Sequence, residues 1–291
     1  MKSRFLQLVV PFLLVATRVQ ANDSEAVDEG GVLVLKKSEH VIMESEDLSI
    51  SPHSVHVAYR FRNTGPADVD TLVAFPIGTD IRDADEVRQD STDLLESYGF
   101  KLVVDGVARS VEVKNQVTPA RQEVVFYWRQ LFPAGKPVSI EHEYSPKGGS
   151  ILIDSADSWK NLTREYCIDD QSVTTLRKRE REQVGSAHYI HYILKTGANW
   201  AGPIHHFHLT IRKDRPEQLV FLCAEGVRRQ DALTFVIDKT DFVPRSDLKI
   251  IFIAADVPRP LPNQAMKPTA PWRDDLSVLA TDPARSLSPS R

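Results

Sequence analysis

The chain lacks any long basic run, and over its 291 residues the formal charge is −4. Few clustered cations mean few salt-dependent phosphate contacts, so nucleic acid is not an expected partner. Beyond residue 16 it also lacks any apolar stretch near the ~20 residues that a membrane-spanning helix needs. No G-x-S-x-G elbow, H-E-x-x-H pair or glycine-rich phosphate loop occurs. Ala134-Gly135-Lys136 has the Gly-Lys pair of a P-loop without the rest, and it precedes a strand. These shortages predict a non-enzymatic protein with no cofactor and no membrane span in its mature form.

What is present begins with a segment of a different kind. Lys2 and Arg4 open the chain, FLQLVVPFLLVA (5–16) is a short apolar run, and Val19-Gln20-Ala21 supplies small residues. This is the three-part pattern of a secretory signal. The expectation is a signal peptide at 1–21, a mature chain starting at Asn22, and a periplasmic or secreted bacterial protein. Loss of Lys2, Arg4 and Arg18 takes the formal charge from −4 to −7. Export also places Cys167 and Cys223 in an oxidising compartment, where two thiols pair by default, so an intramolecular disulfide is expected.

Strand signals dominate the rest. In 54-SVHVAYRFRN-63, Val55, Val57, Tyr59 and Phe61 alternate with His56, Ala58, Arg60 and Arg62. VDTLVAF (69–75), FKLVVD (100–105), ARSVEVK (108–114), EVVFYW (123–128) and PVSIEHEY (137–144) follow, with turn residues between them. The second half adds HYIHYIL (188–194), IHHFHLTIR (204–212), QLVFLC (218–223), ALTFVID (232–238) and LKIIFIAA (248–255). The last is nearly all apolar, as a buried central strand is. One helix is expected, QSVTTLRKREREQV (171–184), capped by Asp169-Asp170 and stopped by Gly185. The fold class is mainly β: two antiparallel sandwich-like modules, 22–146 and 147–257, with the helix in the second. Lys147-Gly148-Gly149-Ser150 marks the boundary. Residues 258–291 are proline-rich and aperiodic and read as a disordered tail.

NDSEAVDEGGVLVLKKSEHVIMESEDLSISP, YRFRNTGPADVDTLVAFP, REYCIDD and YILKTGANWAGPIHHFHLTI resemble the bacterial secreted family known as domain of unknown function 4424. The resemblance runs from Asn22 to about Ala255 and implies export and a β-rich fold, with no activity attached. FRN, FP, VDG and 132-FPAGKPVSIEHEYSP-146 resemble the order of words in the vault and inter-alpha-trypsin (VIT) domain, which implies a protein-interaction sandwich. NQAMKPTAPWRDDLSVLA in the tail is similar to translated interspersed repeats at the ends of some proteobacterial reading frames.

Candidate sites are few. Asp154 with Asp157, and Asp169 with Asp170, have calcium-type donors without a loop's ligand spacing; capping accounts for the second pair. Five of the nine histidines fall between 188 and 208. Phe207, Leu209 and Ile211 alternate with His206, His208, Thr210 and Arg212. Pairing this strand with 188–194 as a hairpin through TGANWAGP would set His208 opposite His191 with His206 diagonal. That His191/His206/His208 face is the alternative, metal- or carbohydrate-binding, reading. A strand face carrying imidazoles without a ligand is the plainer one. Trp200 on the connecting loop is either a stacking residue or a cover for the sandwich end; Trp128 and Trp159 read as core. The sequence therefore points to an exported protein with a protein or envelope partner.

Overall fold

The computed structural model describes residues 23–29, 32–79, 91–117, 122–153, 156–180 and 185–254. Residues 1–22, which include the expected signal peptide, and the tail lie outside them. Strands β1 (Ser24–Glu29), β2 (Val32–Lys36), β3 (Val41–Ile50), β4 (Val55–Asn63) and β5 (Val69–Thr79) precede helix α1 (Ser91–Tyr98). Next come β6 (Lys101–Val104), β7 (Val107–Arg109), β8 (Glu112–Val117), β9 (Gln122–Phe132), β10 (Pro137–Tyr144) and β11 (Gly149–Ile153). Helices α2 (Ala156–Tyr166) and α3 (Asp170–Glu180) lead to β12 (Gly185–Tyr192) and β13 (Ile204–Arg212). β14 (Leu219–Leu222), β15 (Arg228–Arg229), β16 (Thr234–Phe242) and β17 (Leu248–Ile253) complete the described chain.

These strands form three sheets, in the orders β2-β1-β5-β9-β8, β15-β16-β13-β3-β4-β10-β6-β7 and β11-β12-β17-β14. The protein is mainly β, as the alternating segments require. The helices differ in number: α1 and α2 accompany α3. In α3 the cap is as expected, since Asp169 Oδ1 accepts from the Ser172 N–H at 2.8 Å and Oδ2 from its hydroxyl at 2.6 Å. Those hydrogen bonds hold the Asp169 carboxyl below its ordinary pKa. Helix α2 ends with Cys167 at φ 53° while the Ile168 N–H reaches back to the Thr163 carbonyl, a Schellman-type stop.

β3 escaped the alternation test because it changes phase. Val41 and Met43 are buried, then Glu46, Leu48 and Ile50, with the register against β4 shifting between Met43 and Ser45. A bulge absorbs one extra residue and flips the following side chains to the other face. It places the Glu46 carboxylate inside.

Two modules divided at residue 146 is not what forms. β13, from the second half, pairs in parallel with β3 from the first, Leu209 opposite Leu48. The described residues lie in one compact unit, and one hydrophobic core joins Phe61, Phe75 and Phe126 to Tyr192, Leu209 and Phe252. A Cβ on Gly148 would meet the Tyr189 carbonyl oxygen at 2.3 Å. These glycines allow a strand to approach closely, which is a packing role and not a linker's.

The four-stranded sheet is covered on both faces. Ile250 and Phe252 of β17 join the large core, while Ile251 and Ile253 pack with Trp159, Leu162 and Tyr166 of α2. β17 is thus the doubly buried strand its composition implied.

Candidate functional site

Charged or titratable groups meet apolar side chains at two contrasting places among the described residues. The first is sealed. Asp23, Glu46 and His142 are 0%, 1% and 1% exposed. His142 Nε2 lies 3.5 Å from Asp23 Oδ2, and the Tyr192 hydroxyl sits 3.1 Å from that of Tyr59 and donates to Glu46 Oε1 at 3.4 Å. Phe75, Phe100 and Trp128 each have ring centroids 5.1 Å from His142. Burial pushes the His142 imidazole down to about 3 and, with the nearby Glu46 charge, lifts the Asp23 carboxyl well above its ordinary range. Both shifts favour the uncharged form of each group. No open path is needed for this cluster to work as structure.

The second place is open. A cleft of about 1000 Å³ lies between the β13–β16 end of the eight-stranded sheet and the β14–β17 end of the four-stranded sheet. Leu194, Phe207, Leu209, Ile237, Phe242 and Leu248 line its apolar part, and Glu225, Lys239, Asp241 and Arg245 its charged part. Cys167 and Cys223 stand in its wall, joined as a disulfide with Cα atoms 5.1 Å apart. That bond ties the end of α2 to the residue following β14. β14 is the last strand of its sheet, and β15 covers β16 only opposite Val236 and Phe235. Among the described residues no strand pairs with the free side of β14, or with the outer side of β16 from Ile237 to Phe242.

The histidines do not gather. β12 and β13 are in different sheets: His191 pairs with Lys249 of β17, and His208 with Asp238 of β16. The expected hairpin, and with it the His191/His206/His208 face, is overturned. Its physical cause is the connection. Lys195–Asn199 forms a short 3-10 turn and Trp200, 1% exposed, is drawn into the core. Its ring lies 4.5 Å from that of Phe61, and its Nε1–H donates to the Asp23 carbonyl at 2.7 Å. A loop pulled inward carries the chain from one sheet to the next and cannot fold it back as a hairpin.

His191, His205 and His208 have separate local partners instead. His191 Nε2 is 3.1 Å from the Tyr166 hydroxyl beneath α2. His205 donates through Nδ1 to Asp241 at 2.7 Å, and His208 through Nδ1 to Asp238 at 2.6 Å. Hydrogen bonds from His208 and Arg228 depress the Asp238 carboxyl. The inward face of β13, Phe207, Leu209 and Ile211, is the one that alternation selected. Trp128 and Trp159 are core residues, 5% and 2% exposed. Among the described residues no group of three or more His, Cys, Asp or Glu side chains is placed to hold a metal ion. Asp154 lies outside the described residues. No described helix is long and apolar enough to cross a membrane.

Sequence reasoning missed both polar places. Glu46 was hidden by the bulge, and Lys239, Phe242 and Arg245 converge only because β16 and β17 belong to different sheets.

The profile of one family matches residues 21–124 and 120–251. The chain belongs to the family called domain of unknown function 4424, DUF4424. No curated protein matches the sequence. Among solved structures, this DUF4424 chain is similar to a Legionella pneumophila protein described as a "putative nutrient binding protein". That match has 19% identity, a TM-score of 0.48, and covers 80% of this chain and 70% of that one. It is also similar to leukotriene A4 hydrolase from Saccharomyces cerevisiae, with 10% identity, TM-score 0.37, and 74% and 29% of the two chains covered. A third is the M1 zinc metallopeptidase of Deinococcus radiodurans, at 10%, 0.31, and 75% and 43%. The chain spans less than half the length of either enzyme.

Proposed function

We propose that this DUF4424 protein is exported, to the periplasm or beyond, and acts there as a non-enzymatic, envelope-associated binding protein whose ligand occupies the cleft beside Cys223. The cleft carries this reading: it joins an apolar floor to a few charged side chains, the usual make-up of a ligand site. Its wall is held by a covalent bond, so the space is formed before a ligand arrives. Export is supported by the basic, apolar and small-residue order of 1–21 and by the disulfide, a bond that persists in oxidising compartments. The lack of nucleophile and metalloprotease motifs supports binding over catalysis.

The test uses the full chain in a bacterial host, with a photo-crosslinking residue in place of Phe242 in the cleft or of Val107, 53% exposed on edge strand β7. The chain should be recovered from the periplasm starting at Asn22. The Phe242 site should capture a species that the Val107 site does not. Cytoplasmic retention refutes export, and identical capture at both sites refutes the cleft as the binding site.

A further inference from the structure

Two strand edges beside this cleft have no strand partner among the described residues. One is the free edge of β14. The other, longer, is the outer edge of β16 from Ile237 to Phe242. Strand edges with unpaired N–H and C=O groups are templates for another strand. Natural edges are blunted by a covering segment, by proline or by inward charges. Between Ile237 and Thr240 β16 has no proline and, among the described residues, no pairing strand; its one inward charge is Lys239, which lines the cleft with Ile237 while Asp238 is exposed. On the outer face Asp238 is engaged by His208 and Arg228. Asp241, at φ 48°, turns the edge and ends the straight run.

Charge narrows the occupant. Of the charged residues in the lining, Asp241 is held by His205 at 2.7 Å. Lys239 and Arg245 make no ion pair within the described protein, and both lie at the β16 end of the cleft. Glu225 is on the loop after β14. The β16 side therefore presents two available cations beside a strand edge and an apolar floor.

We propose that the cleft binds an extended peptide segment, alternating in apolar residues and carrying an acidic flank, which adds a strand to the outer edge of β16. This rests on the cleft being the binding site and names its ligand class. Main-chain hydrogen bonds to Ile237–Thr240 supply register, the floor takes every second side chain, and Lys239 with Arg245 takes the acidic flank. A lipid-like amphiphile would use the floor and the cations but leave the backbone edge unused.

The experiment measures fluorescence anisotropy of a fluorescein-labelled Val-Thr-Val-Thr-Val-Asp-Asp peptide with the mature protein. Two further peptides carry N-methyl groups at positions 1, 3 and 5, or at 2, 4 and 6, since successive N–H groups of a strand point to opposite edges. The parent peptide should bind, and one methylated register should lose at least about tenfold while the other keeps its affinity. Lys239→Glu with Arg245→Glu should weaken the parent by about tenfold and reduce its salt dependence, with near-ultraviolet circular dichroism confirming that the variant is folded. Equal binding of both methylated peptides, or no binding of the parent, overturns the strand-addition proposal. Labelled palmitate bound in place of peptide overturns it too, but leaves the cleft as a binding site. If neither probe binds and the Phe242 crosslink is silent, the cleft reading itself falls.

Discussion

Around His142 the polar groups are enclosed by Phe75, Phe100 and Trp128, and burial disfavours the charged form of both His142 and Asp23. Beside Cys223 apolar side chains also line the space, yet Glu225, Asp241 and Arg245 are exposed and two strand edges have no strand partner among the described residues. Both regions mix polar and apolar groups, so composition does not separate them. What separates them is closure. The interior cluster is completed by residues distant in sequence, Asp23, Glu46, His142 and Tyr192, and changes there strike stability. The cleft is incomplete by itself, and changes there strike binding.

The contrast breaks most severely at Trp200. Trp200→Ala removes a buried indole and the donor to the Asp23 carbonyl, and should lower the unfolding free energy by about 3–5 kcal/mol. Urea denaturation measures this, and a change under about 1 kcal/mol would show that the loop is not anchored in the core. Next in size is the cleft wall. Cys167→Ser or Cys223→Ser opens a 56-residue separation and should destabilise by about 2–4 kcal/mol. Thiol titration of the denatured, unreduced wild type should find no free thiol; two per chain would refute the bond. Gly148→Ala should follow, at about 1–3 kcal/mol, because its Cβ meets backbone. A flexible linker would tolerate it without change in Tm.

The smallest and most particular effect is in pH. In the unfolded chain His142 titrates near 6.5 and Asp23 near 3.8; folding moves the first down to about 3 and the second up. Between about 4 and 6.5 His142 is protonated in the unfolded chain and neutral in the folded one, so it raises stability as pH rises. Asp23 acts oppositely: its carboxyl is held above its ordinary range, so its contribution falls as pH rises past about 3.8. Below about 3.8 the unfolded chain takes up a second proton first, so stability falls as pH falls. His142→Phe leaves only the Asp23 slope, and stability should then decline steadily as pH rises above about 4. An unchanged pH dependence in that variant, by denaturation at several pH values, would show that His142 does not oppose the Asp23 slope.

Much of the fold was legible. The alternation of Val55, Val57, Tyr59 and Phe61 is buried as it reads, Phe207, Leu209 and Ile211 face inward, and the run LKIIFI is a central strand. The VIT-like words are turn chemistry. Asn63 is buried with its amide donating to the Ala67 and Phe132 carbonyls, and Gly106 takes φ 77°. What failed to read was partnership. Nothing in 188-HYIHYIL-194 says that it pairs with β17 and not with the next strand along. A bulge at Met43–Ser45 was enough to hide β3.

The sequence by itself determined which residues prefer strands, which face of each strand is apolar, where α3 is capped, and that the two cysteines pair. Those properties depend on neighbours one to four residues away, or on there being only two thiols to choose from. Only the tertiary structure decided that β3 and β13 run in parallel, that the two halves share one core, that the histidines separate, and that Lys239 and Arg245 meet beside an open strand edge. The physical reason is that strand pairing is non-local: backbone hydrogen bonds are much the same for every partner. The choice falls to how all the apolar faces can be buried at once, and no single segment contains that information.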